Sequence, residues 1–334
     1  MKTRIAIIGL IVGVVLLGGA LVFTLYAGGG QVEIKDTAQL SADELRLQSY
    51  VETGHLISAT NAANLIANAP DVLVLDIRKG TEYATGRIPG AVNIFRGDYS
   101  ADEGEYPFGG MRASEEKMEA LLSELGVTPE TLILAYDGKG NYDAARFWWQ
   151  LAILGHDYVK LIDGGIQGWQ AAGFELSVAA AEARPATEYR FDRPENLSRL
   201  ATLDDVLSAQ NDPNVVLLDT RALSECTGEK LMRGAFREGR IPGAVWIEFK
   251  DCLCPAMCFK DIEELRAMYV DAGITPDKTI IAYCQSGVRS AHTTFVLTEI
   301  LGYPNVKNYD GSWIEYSYHA ELPVESGEVR VASN

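Results

Sequence analysis

The strongest chemical signal in the sequence is a cysteine at the start of a glycine-containing loop. Cys284 lies in the stretch YCQSGVRS (residues 283–290), directly after an apolar run and directly before a helical pattern. A helix that begins near Ser290 leaves its first N–H groups unpaired, and their positive potential favours a thiolate over a thiol. Gly287 allows the loop backbone to curl into an anion-binding nest, and Arg289 adds a positive charge. The pattern therefore predicts a nucleophilic thiolate, with a buried, inert cysteine as the alternative.

Short apolar runs that alternate with helical patterns would position this loop. In the first half of the chain, the runs 72–76, 132–136 and 158–162 are typical of buried strands, and 114–125 and 143–154 of helices. This alternation predicts a parallel sheet with helices on both faces. Ligands bind at the carboxyl ends of the strands in such a sheet, and Cys284 falls at that position.

An internal repeat extends this pattern to the whole chain. The segments 74–94, 126–140 and 161–165 (VLDIRKGTEYATGRIPGAVNI, GVTPETLILAYDGKG and LIDGG) recur as 217–221 with 239–249, 273–287 and 308–312 (LLDTR with GRIPGAVWIEF, GITPDKTIIAYCQSG and NYDGS). Two copies of one domain explain the recurrence. We therefore expect a first α/β domain over residues 55–178, a linker over 179–195 and a second α/β domain over 196–326.

Composition and charge limit the class of partner. The chain has 334 residues, of which 47% are hydrophobic and 22% charged, as in an ordinary folded protein. A net charge of −17 argues against binding to nucleic acid or to anionic lipid head groups, because the summed field repels phosphate. Local positive groups must overcome that field if the protein binds a small anion.

The first 30 residues differ from the rest of the chain. A 22-residue stretch without a charge runs from Ile5 to Tyr26, a length that spans a hydrocarbon core of roughly 30 Å. Lys2 and Arg4 precede it, whereas acidic residues outnumber basic ones after it, so the N-terminus is expected inside the cell. We expect residues 1–30 to anchor an extracytoplasmic body to the cell membrane; a cleaved signal peptide is the alternative.

The motifs together resemble those of the rhodanese-type sulfurtransferases in their tandem two-domain form. The resemblance covers roughly residues 55–323, and its carriers are LVLDIR, LLDTR, the two GRIPGAV motifs, CQSGVRS and YDGSW. It implies two α/β domains with central parallel sheets. It also implies that the first domain is catalytically silent and that the second carries the nucleophilic cysteine at the head of its loop.

By that resemblance, Cys284 attacks the outer sulfur of thiosulfate or 3-mercaptopyruvate, releases sulfite or pyruvate, and becomes a persulfide. A thiol or a cyanide-like acceptor, including a thiol protein, then takes the sulfur. No metal and no other cofactor is required. Thiosulfate is favoured as the donor, because Arg289 brings positive charge to a dianion. A persulfide carrier and a redox-sensing module that uses the additional cysteines are the alternative functions.

The resemblance also assigns the supporting residues. It gives Arg221 a substrate contact and gives Asp310 and Ser312 the support of the loop. The loop residues Gln285, Ser286, Gly287, Val288 and Arg289 are expected to contact the substrate because their backbone N–H groups form the anion-binding nest. A structural ion pair is the alternative for Arg221, and an ordinary turn is the alternative for Asp310 and Ser312. Four residues separate Cys284 from Arg289, one fewer than in the phosphate-binding loop of cysteine phosphatases, so the loop suits a single sulfur atom.

Asp137 occupies the position of Cys284 in the first repeat. A carboxylate cannot carry a persulfide and would repel an anionic donor, which predicts a silent first domain. Arg78, the counterpart of Arg221, is then expected to be a structural relic or an interface residue.

The four other cysteines leave three alternatives open. Cys226, Cys252, Cys254 and Cys258 could form two disulfides, a Cys₄ metal site or unpaired thiols, because spacing does not determine connectivity. A further hypothesis is that one of them receives sulfur from Cys284 or forms a regulatory disulfide with it. His292, close to the loop, is expected to be a surface or capping residue rather than a group that tunes the thiolate.

Overall fold

The computed structural model describes residues 11–17, 20–27, 30–33, 41–52 and 54–329. An N-terminal unit ends at Leu45. It contains an antiparallel sheet of three strands, β1 (Ile11–Leu17), β2 (Ala20–Ala27) and β3 (Gly30–Glu33).

The expected membrane-spanning helix does not occur in the described part of residues 1–30. Those residues pair their backbone N–H and C=O groups between strands instead of along a helix. Across the part of the chain that the structure describes, no helix is long and apolar enough to cross a membrane. Residues 1–10, 18–19 and 28–29 of the expected anchor lie outside the described residues.

The second unit runs from Arg46 onward and contains both repeats. After a short helix, α1 (Ala42–Gln48), the first repeat has the elements β4 (Leu56–Ile57), α2 (Ala59–Asn68), β5 (Val72–Asp76), α3 (Gly80–Thr85), β6 (Val92–Asn93), α4 (Glu115–Glu124), β7 (Leu132–Tyr136), α5 (Tyr142–Leu154), β8 (Val159–Ile162) and α6 (Gly165–Ala171). Its sheet has the order β4-β8-β7-β5-β6, and every neighbouring pair is parallel. The expected strands and helices of this repeat are present within a residue of their predicted bounds.

The second repeat has the same plan. Its elements are β9 (Leu200–Ala201), α7 (Leu203–Ala209), β10 (Val215–Asp219), α8 (Leu223–Cys226), β11 (Val245–Trp246), α9 (Ile262–Asp271), β12 (Thr279–Tyr283), α10 (Val288–Phe295), β13 (Val306–Tyr309) and α11 (Ser312–Tyr318). Its parallel sheet has the order β9-β13-β12-β10-β11, which is the order of the first sheet, strand for strand. The expected fold of two α/β domains is therefore confirmed, and residues 179–195 between them form neither helix nor strand.

The two repeats share a hydrophobic core where α5 meets α10. Trp148 of α5 and Phe295 of α10 are fully buried and pack edge to face, with ring centroids 4.8 Å apart. Each of these helices begins directly after the loop that follows the central strand of its own sheet, β7 or β12. The packing therefore brings the Cys284 loop and its counterpart to the same side of the interface between the repeats.

Candidate active site

Cys284 is the first residue after β12, at the carboxyl end of the strand, and its side chain is only 1% exposed. The loop turns back at Gly287, which has a φ of +71°. A Cβ atom there would lie 2.7 Å from the backbone oxygen of Asp310 and 2.6 Å from the guanidinium group of Arg146. Only glycine fits this position, because both the backbone conformation and the space exclude a side chain.

Ser312 fixes the loop from the adjacent strand end. Its hydroxyl accepts hydrogen bonds from the backbone N–H groups of Cys284 (3.1 Å) and Gly287 (2.9 Å), and donates one to the carbonyl of Tyr309 (2.7 Å). The N–H of Trp313 also donates to the Cys284 carbonyl at 3.0 Å. The structure thus brings Ser312 to both ends of the loop, in a supporting position.

Asp310 lies behind the loop and is held by the first domain. Its carboxylate forms an ion pair with Arg146 of α5 and accepts a hydrogen bond from the backbone N–H of Arg112 at 3.1 Å. Arg146 also donates to the carbonyl oxygens of Gly287 (3.3 Å) and Gly110 (3.2 Å). Arg146 was not predicted from the sequence, although a charged residue within the apolar helix RFWWQLAIL was a signal for it.

The electrostatic environment of Cys284 favours the thiolate. Burial raises the pKa of the thiol, but the charge of Arg289, hydrogen bonds from Ser290 and the backbone N–H of Ser286 together lower it below the usual value of 9.0. Arg289 is itself held by Glu225, through two bonds of 2.7 and 2.9 Å. The site therefore stabilises a thiolate, which is the form predicted from the loop pattern and Arg289.

A cavity of about 630 Å³ opens over Cys284. Both repeats and the segment between α8 and α9 contribute to its walls, which comprise Arg96, Gly138, Lys139, Tyr142, Met232, Arg233, Glu248, Phe249, Lys250, Leu253, Met257, Cys284, Gln285, Ser286, Val288, Arg289 and Ile314. Of the predicted substrate-contacting residues, Gln285, Ser286, Val288 and Arg289 line this cavity. Gly287 shapes the loop beneath it.

Arg221 does not line the cavity. Its guanidinium group forms a buried, two-bond ion pair with Asp219, at 3.0 and 2.6 Å, and donates to the carbonyl of Gly239 at 2.8 Å. The ring of Trp313 lies 4.7 Å from it. This is the geometry of the structural ion pair, the alternative considered for Arg221, and its Nε and Nη2 groups donate to Asp219 and Gly239 rather than into the cavity.

Arg78 repeats this arrangement in the first domain. It forms a two-bond ion pair with Asp76, at 2.9 and 2.5 Å, and donates to the carbonyl of Gly86 at 2.6 Å. An arginine–aspartate ion pair thus lies at the carboxyl end of the equivalent strands β5 and β10. Arg78 therefore has a structural role in the first domain rather than being a relic.

In the first domain, the side chain of Asp137 occupies the anion-binding nest of its own loop. The carboxylate of Asp137 accepts hydrogen bonds from the backbone N–H groups of Lys139 (2.7 Å), Asn141 (2.8 Å), Asp143 (2.8 Å) and Ala144 (3.3 Å). Burial and then the nearby Asp143 raise the pKa of Asp137 to about 6, against the lowering effect of these bonds. The backbone N–H groups equivalent to those that stabilise the thiolate in the second domain are therefore bound to the Asp137 carboxylate in the first domain.

The remaining cysteines combine two of the three alternatives. Cys254 and Cys258 form a disulfide, whereas Cys226 and Cys252 are buried free thiols. Burial raises the pKa of Cys252 to about 12 and, with Asp219, raises that of Cys226 still further, so neither is a reactive thiolate. Among the described residues, no group of three His, Cys, Asp or Glu side chains could hold a metal ion.

His292 is neither a surface residue nor a capping residue, so that expectation is wrong. It is fully buried on α10 and stacks on Phe259, with ring centroids 5.0 Å apart. Burial lowers its pKa to about 3, with a smaller opposing effect from the backbone of Gly140. The imidazole is therefore neutral, a component of the interface between the repeats.

Comparisons with known proteins agree with the fold. The rhodanese-like domain model matches twice, at residues 50–172 and 202–319. The thiosulfate sulfurtransferase of Azotobacter vinelandii is 33% identical over 260 residues, which is 77% of this chain and 92% of that protein. The sulfur carrier protein TtuD of Thermus thermophilus is 37% identical over 270 residues, 78% of this chain and 92% of that protein.

A solved structure supports the fold independently. The anaerobic ergothioneine biosynthesis enzyme of Chlorobium limicola superposes with a TM-score of 0.75 at 24% identity, covering 84% of this chain and 72% of the other. At this level of identity the likeness concerns the fold alone.

Proposed function

The chain belongs to the rhodanese family and is a sulfurtransferase, and from that premise we propose that Cys284 is the nucleophile and thiosulfate the preferred donor. The observation that carries the proposal is the setting of the Cys284 thiol. It lies at the head of the Ser312-fixed loop, and Arg289 and the loop N–H groups lower its pKa. A thiolate at the floor of an open cavity is the reactive form of a sulfur nucleophile.

The first half-reaction transfers one sulfur atom to the protein. The Cys284 thiolate attacks the outer sulfur of thiosulfate, the S–S bond of the donor breaks, and its electron pair leaves with sulfite. The charge now lies on the outer persulfide sulfur, close to the N–H groups of Ser286 and Ser290 and the charge of Arg289. Because these donors are held in place before reaction, they stabilise the anion without reorganisation.

The second half-reaction regenerates the thiolate. A thiol or cyanide-like acceptor attacks the outer sulfur of the persulfide, the bond between the two sulfurs breaks, and Cys284 leaves as a stabilised thiolate. The first domain takes no part in this chemistry, since the carboxylate of Asp137 occupies the equivalent nest. Its role is to support the loop through Arg146 and to form part of the cavity wall.

Sulfite release and mass spectrometry test the assignment of the nucleophile. Wild-type protein incubated with thiosulfate should release sulfite, and the peptide that contains Cys284 should gain the mass of one sulfur atom. Cys284→Ser should do neither. The double variant Cys254→Ser/Cys258→Ser, which keeps Cys284, is the matched control and should load sulfur. Sulfite release that persists in Cys284→Ser would overturn the assignment.

A donor panel tests the preference for thiosulfate. Positive charge from Arg289 at the cavity favours a dianion over a monoanion. We therefore expect kcat/KM for thiosulfate to exceed that for 3-mercaptopyruvate. A higher value for 3-mercaptopyruvate would reverse the proposed specificity.

A persulfide carrier is the second candidate, because the Thermus relative carries that name. A carrier would load Cys284 and pass the sulfur to a particular protein, with little turnover on small acceptors. Steady-state sulfite release with cyanide or a small thiol as acceptor separates the two. Multiple turnovers favour the enzyme, and a single stoichiometric burst favours the carrier.

We also propose that the folded body lies outside the cytoplasm, attached to the cell membrane by the N-terminal segment or exported after its cleavage. The uncharged stretch Ile5–Tyr26 and its flanking charges support this location. The Cys254–Cys258 disulfide supports it independently, since disulfides persist in oxidising compartments. Protease treatment of intact cells that produce the full chain should degrade the body, and protection equal to that of a cytoplasmic marker would contradict the proposal.

A further inference from the structure

The cavity over Cys284 is larger than its small substrates require. Its volume of about 630 Å³ falls within the range of about 300 to 1,000 Å³ that is typical of sites for organic ligands. Thiosulfate, sulfite and cyanide each have only a few atoms and would fill a small part of it. The surplus volume indicates that one of the two substrates has a body extending away from the reacting sulfur.

One wall of the cavity comes from the silent loop of the first domain. Gly138 and Lys139 follow Asp137, and they lie in the cavity together with Gln285 and Ser286 of the catalytic loop. The backbone N–H groups of this silent loop cannot bind an anion, because the carboxylate of Asp137 already occupies them. Lys139, whose side chain is exposed, is the counterpart of Ser286 in the other repeat. The catalytic loop therefore has an uncharged side chain at this position.

Five cationic side chains line the cavity, and three of them form ion pairs with carboxylates. Arg96 pairs with Asp143 (2.6 Å), Lys250 with Glu248 (2.9 Å) and Arg289 with Glu225 (2.7 Å). Lys139 and Arg233 are the other two, and within the described ranges no carboxylate lies at ion-pair distance from either. Against the lowering effect of burial, Tyr142 and, from a longer distance, Asp143 and Glu82 raise the pKa of Lys139, but neither carboxylate forms an ion pair with it. In a chain with a net charge of −17, two cations without an ion-pair partner in one cavity favour a negative group there.

Apolar side chains line the same cavity as these cations and the thiol. Tyr142 and Phe249 pack edge to face, with centroids 5.4 Å apart, and Met257 and Ile314 add aliphatic surface to the same cavity. A ligand with both an uncharged body and a negative group complements this lining.

We propose that Lys139 of the silent domain and Arg233 form a second anion subsite in the cavity. The subsite binds a carboxylate carried several bonds away from the thiol of an extended acceptor. This inference rests on the proposed function and specifies its acceptor. The silent domain thereby selects the acceptor, although its own loop carries no sulfur.

A panel of acceptor thiols with different charges tests the subsite. Sulfite release from thiosulfate is measured with glutathione, whose carboxylates lie far from its thiol, with neutral 2-mercaptoethanol and with cationic cysteamine. Lys139→Glu should lower the ratio of kcat/KM for glutathione to that for 2-mercaptoethanol by about tenfold, or about 1.4 kcal/mol, mainly through KM. The same variant should raise the relative efficiency with cysteamine, and Arg233→Gln should shift the glutathione ratio in the same direction as Lys139→Glu.

Arg266→Glu is the matched control. It makes the same charge change on the exposed face of α9, at a residue that does not line the cavity, and should leave the acceptor ratios as in wild type. Equal acceptor ratios in Lys139→Glu and wild type would overturn the subsite. The proposed function fails separately, if wild-type protein forms no Cys284 persulfide and releases no sulfite. If Lys139→Glu loads the persulfide normally and its acceptor ratios equal those of wild type, the subsite is overturned and the proposed function stands.

Discussion

Arg146 and Asp310 form a buried ion pair that joins the two domains directly behind the catalytic loop. Their side chains are 2% and 5% exposed. The repeat places Thr293 at the counterpart of Arg146, so the facing helix α10 offers no such cation to the silent loop. Asp163, the counterpart of Asp310, pairs instead with Arg46 from outside the repeat, at 2.6 Å. The catalytic loop is therefore held by an ion pair with the helix of the opposite domain.

Arg146→Met should destabilise the protein and slow sulfur transfer. The substitution leaves the carboxylate of Asp310 buried without its charged partner, which costs about 3 to 5 kcal/mol. It also removes a donor to the Gly287 carbonyl. Urea unfolding and sulfite release measure the two effects. Arg190→Met, at an exposed arginine, should change neither, and equal stability of Arg146→Met and wild type would contradict the role of the pair.

Ser312→Ala should loosen the catalytic loop without altering its charge. The N–H groups of Cys284 and Gly287 would lose their acceptor, at a cost of about 1 to 3 kcal/mol. We expect slower persulfide formation, measured as the first-turnover release of sulfite. Ser198→Ala, at an exposed serine, is the control and should stay within about 0.5 kcal/mol of wild type. A Ser312→Ala protein with wild-type first-turnover kinetics would show that the loop is held by other contacts.

Alkylation of Cys284 by iodoacetamide should depend on pH in a direction set by Arg289. The thiolate is the reactive form, and its pKa is lowered, so the rate should fall only when the pH drops through a value below 9.0. Arg289→Gln removes the largest of the lowering effects, which should move the profile to higher pH. Because that variant leaves Glu225 unpaired, Arg289→Gln/Glu225→Gln separates the two charges. Coincident profiles for wild type and both variants would contradict this account of the thiolate.

His292 should make the folded state sensitive to acid. Its pKa is about 3 in the folded protein, below the usual 6.5, so between these values the unfolded state binds a proton that the native state excludes. The free energy of unfolding therefore falls as the pH decreases through this window, by about 1 kcal/mol between pH 6.5 and 5.5. His292→Phe should remove that part of the decrease in urea unfolding. An identical decrease in both proteins would contradict the prediction.

The Cys254–Cys258 disulfide should stabilise the cavity wall. The turn that it closes carries Met257, which lines the cavity and has a φ of +64°, a conformation that is unusual for a residue other than glycine. Closing a loop with a sequence separation of 4 contributes about 2 kcal/mol. Reductant should lower the stability of the wild type by this amount. It should not affect Cys254→Ser/Cys258→Ser, and an equal loss in both proteins would assign the effect elsewhere.

Strand and helix positions could be predicted because they depend on local patterns. Buried parallel strands such as β7 are short and continuously apolar, and helices such as α5 end at a glycine, so neighbouring residues contain the necessary information. The expected membrane helix was not found in the described part of residues 1–30, where the backbone hydrogen bonds run between strands. An apolar run permits either arrangement, since its hydrophobicity does not specify where its backbone groups pair.

The site residues also fall into two groups: those that the sequence identified and those whose contacts only the tertiary structure decided. The sequence alone distinguished the loop with Cys284 from the loop with Asp137, because the internal repeat aligns them and their side-chain chemistry differs. Only the tertiary structure decided that Arg221 faces Asp219, that Arg146 holds Asp310 and that Lys139 enters the cavity of the other domain. A charged side chain finds its partner by proximity in space. For Arg146 and Asp310, which are far apart in the chain, this proximity arises from the packing of α5 against α10, which local sequence patterns do not encode. For Arg221, two residues from Asp219, the choice between that carboxylate and the cavity depends on the space around the side chain.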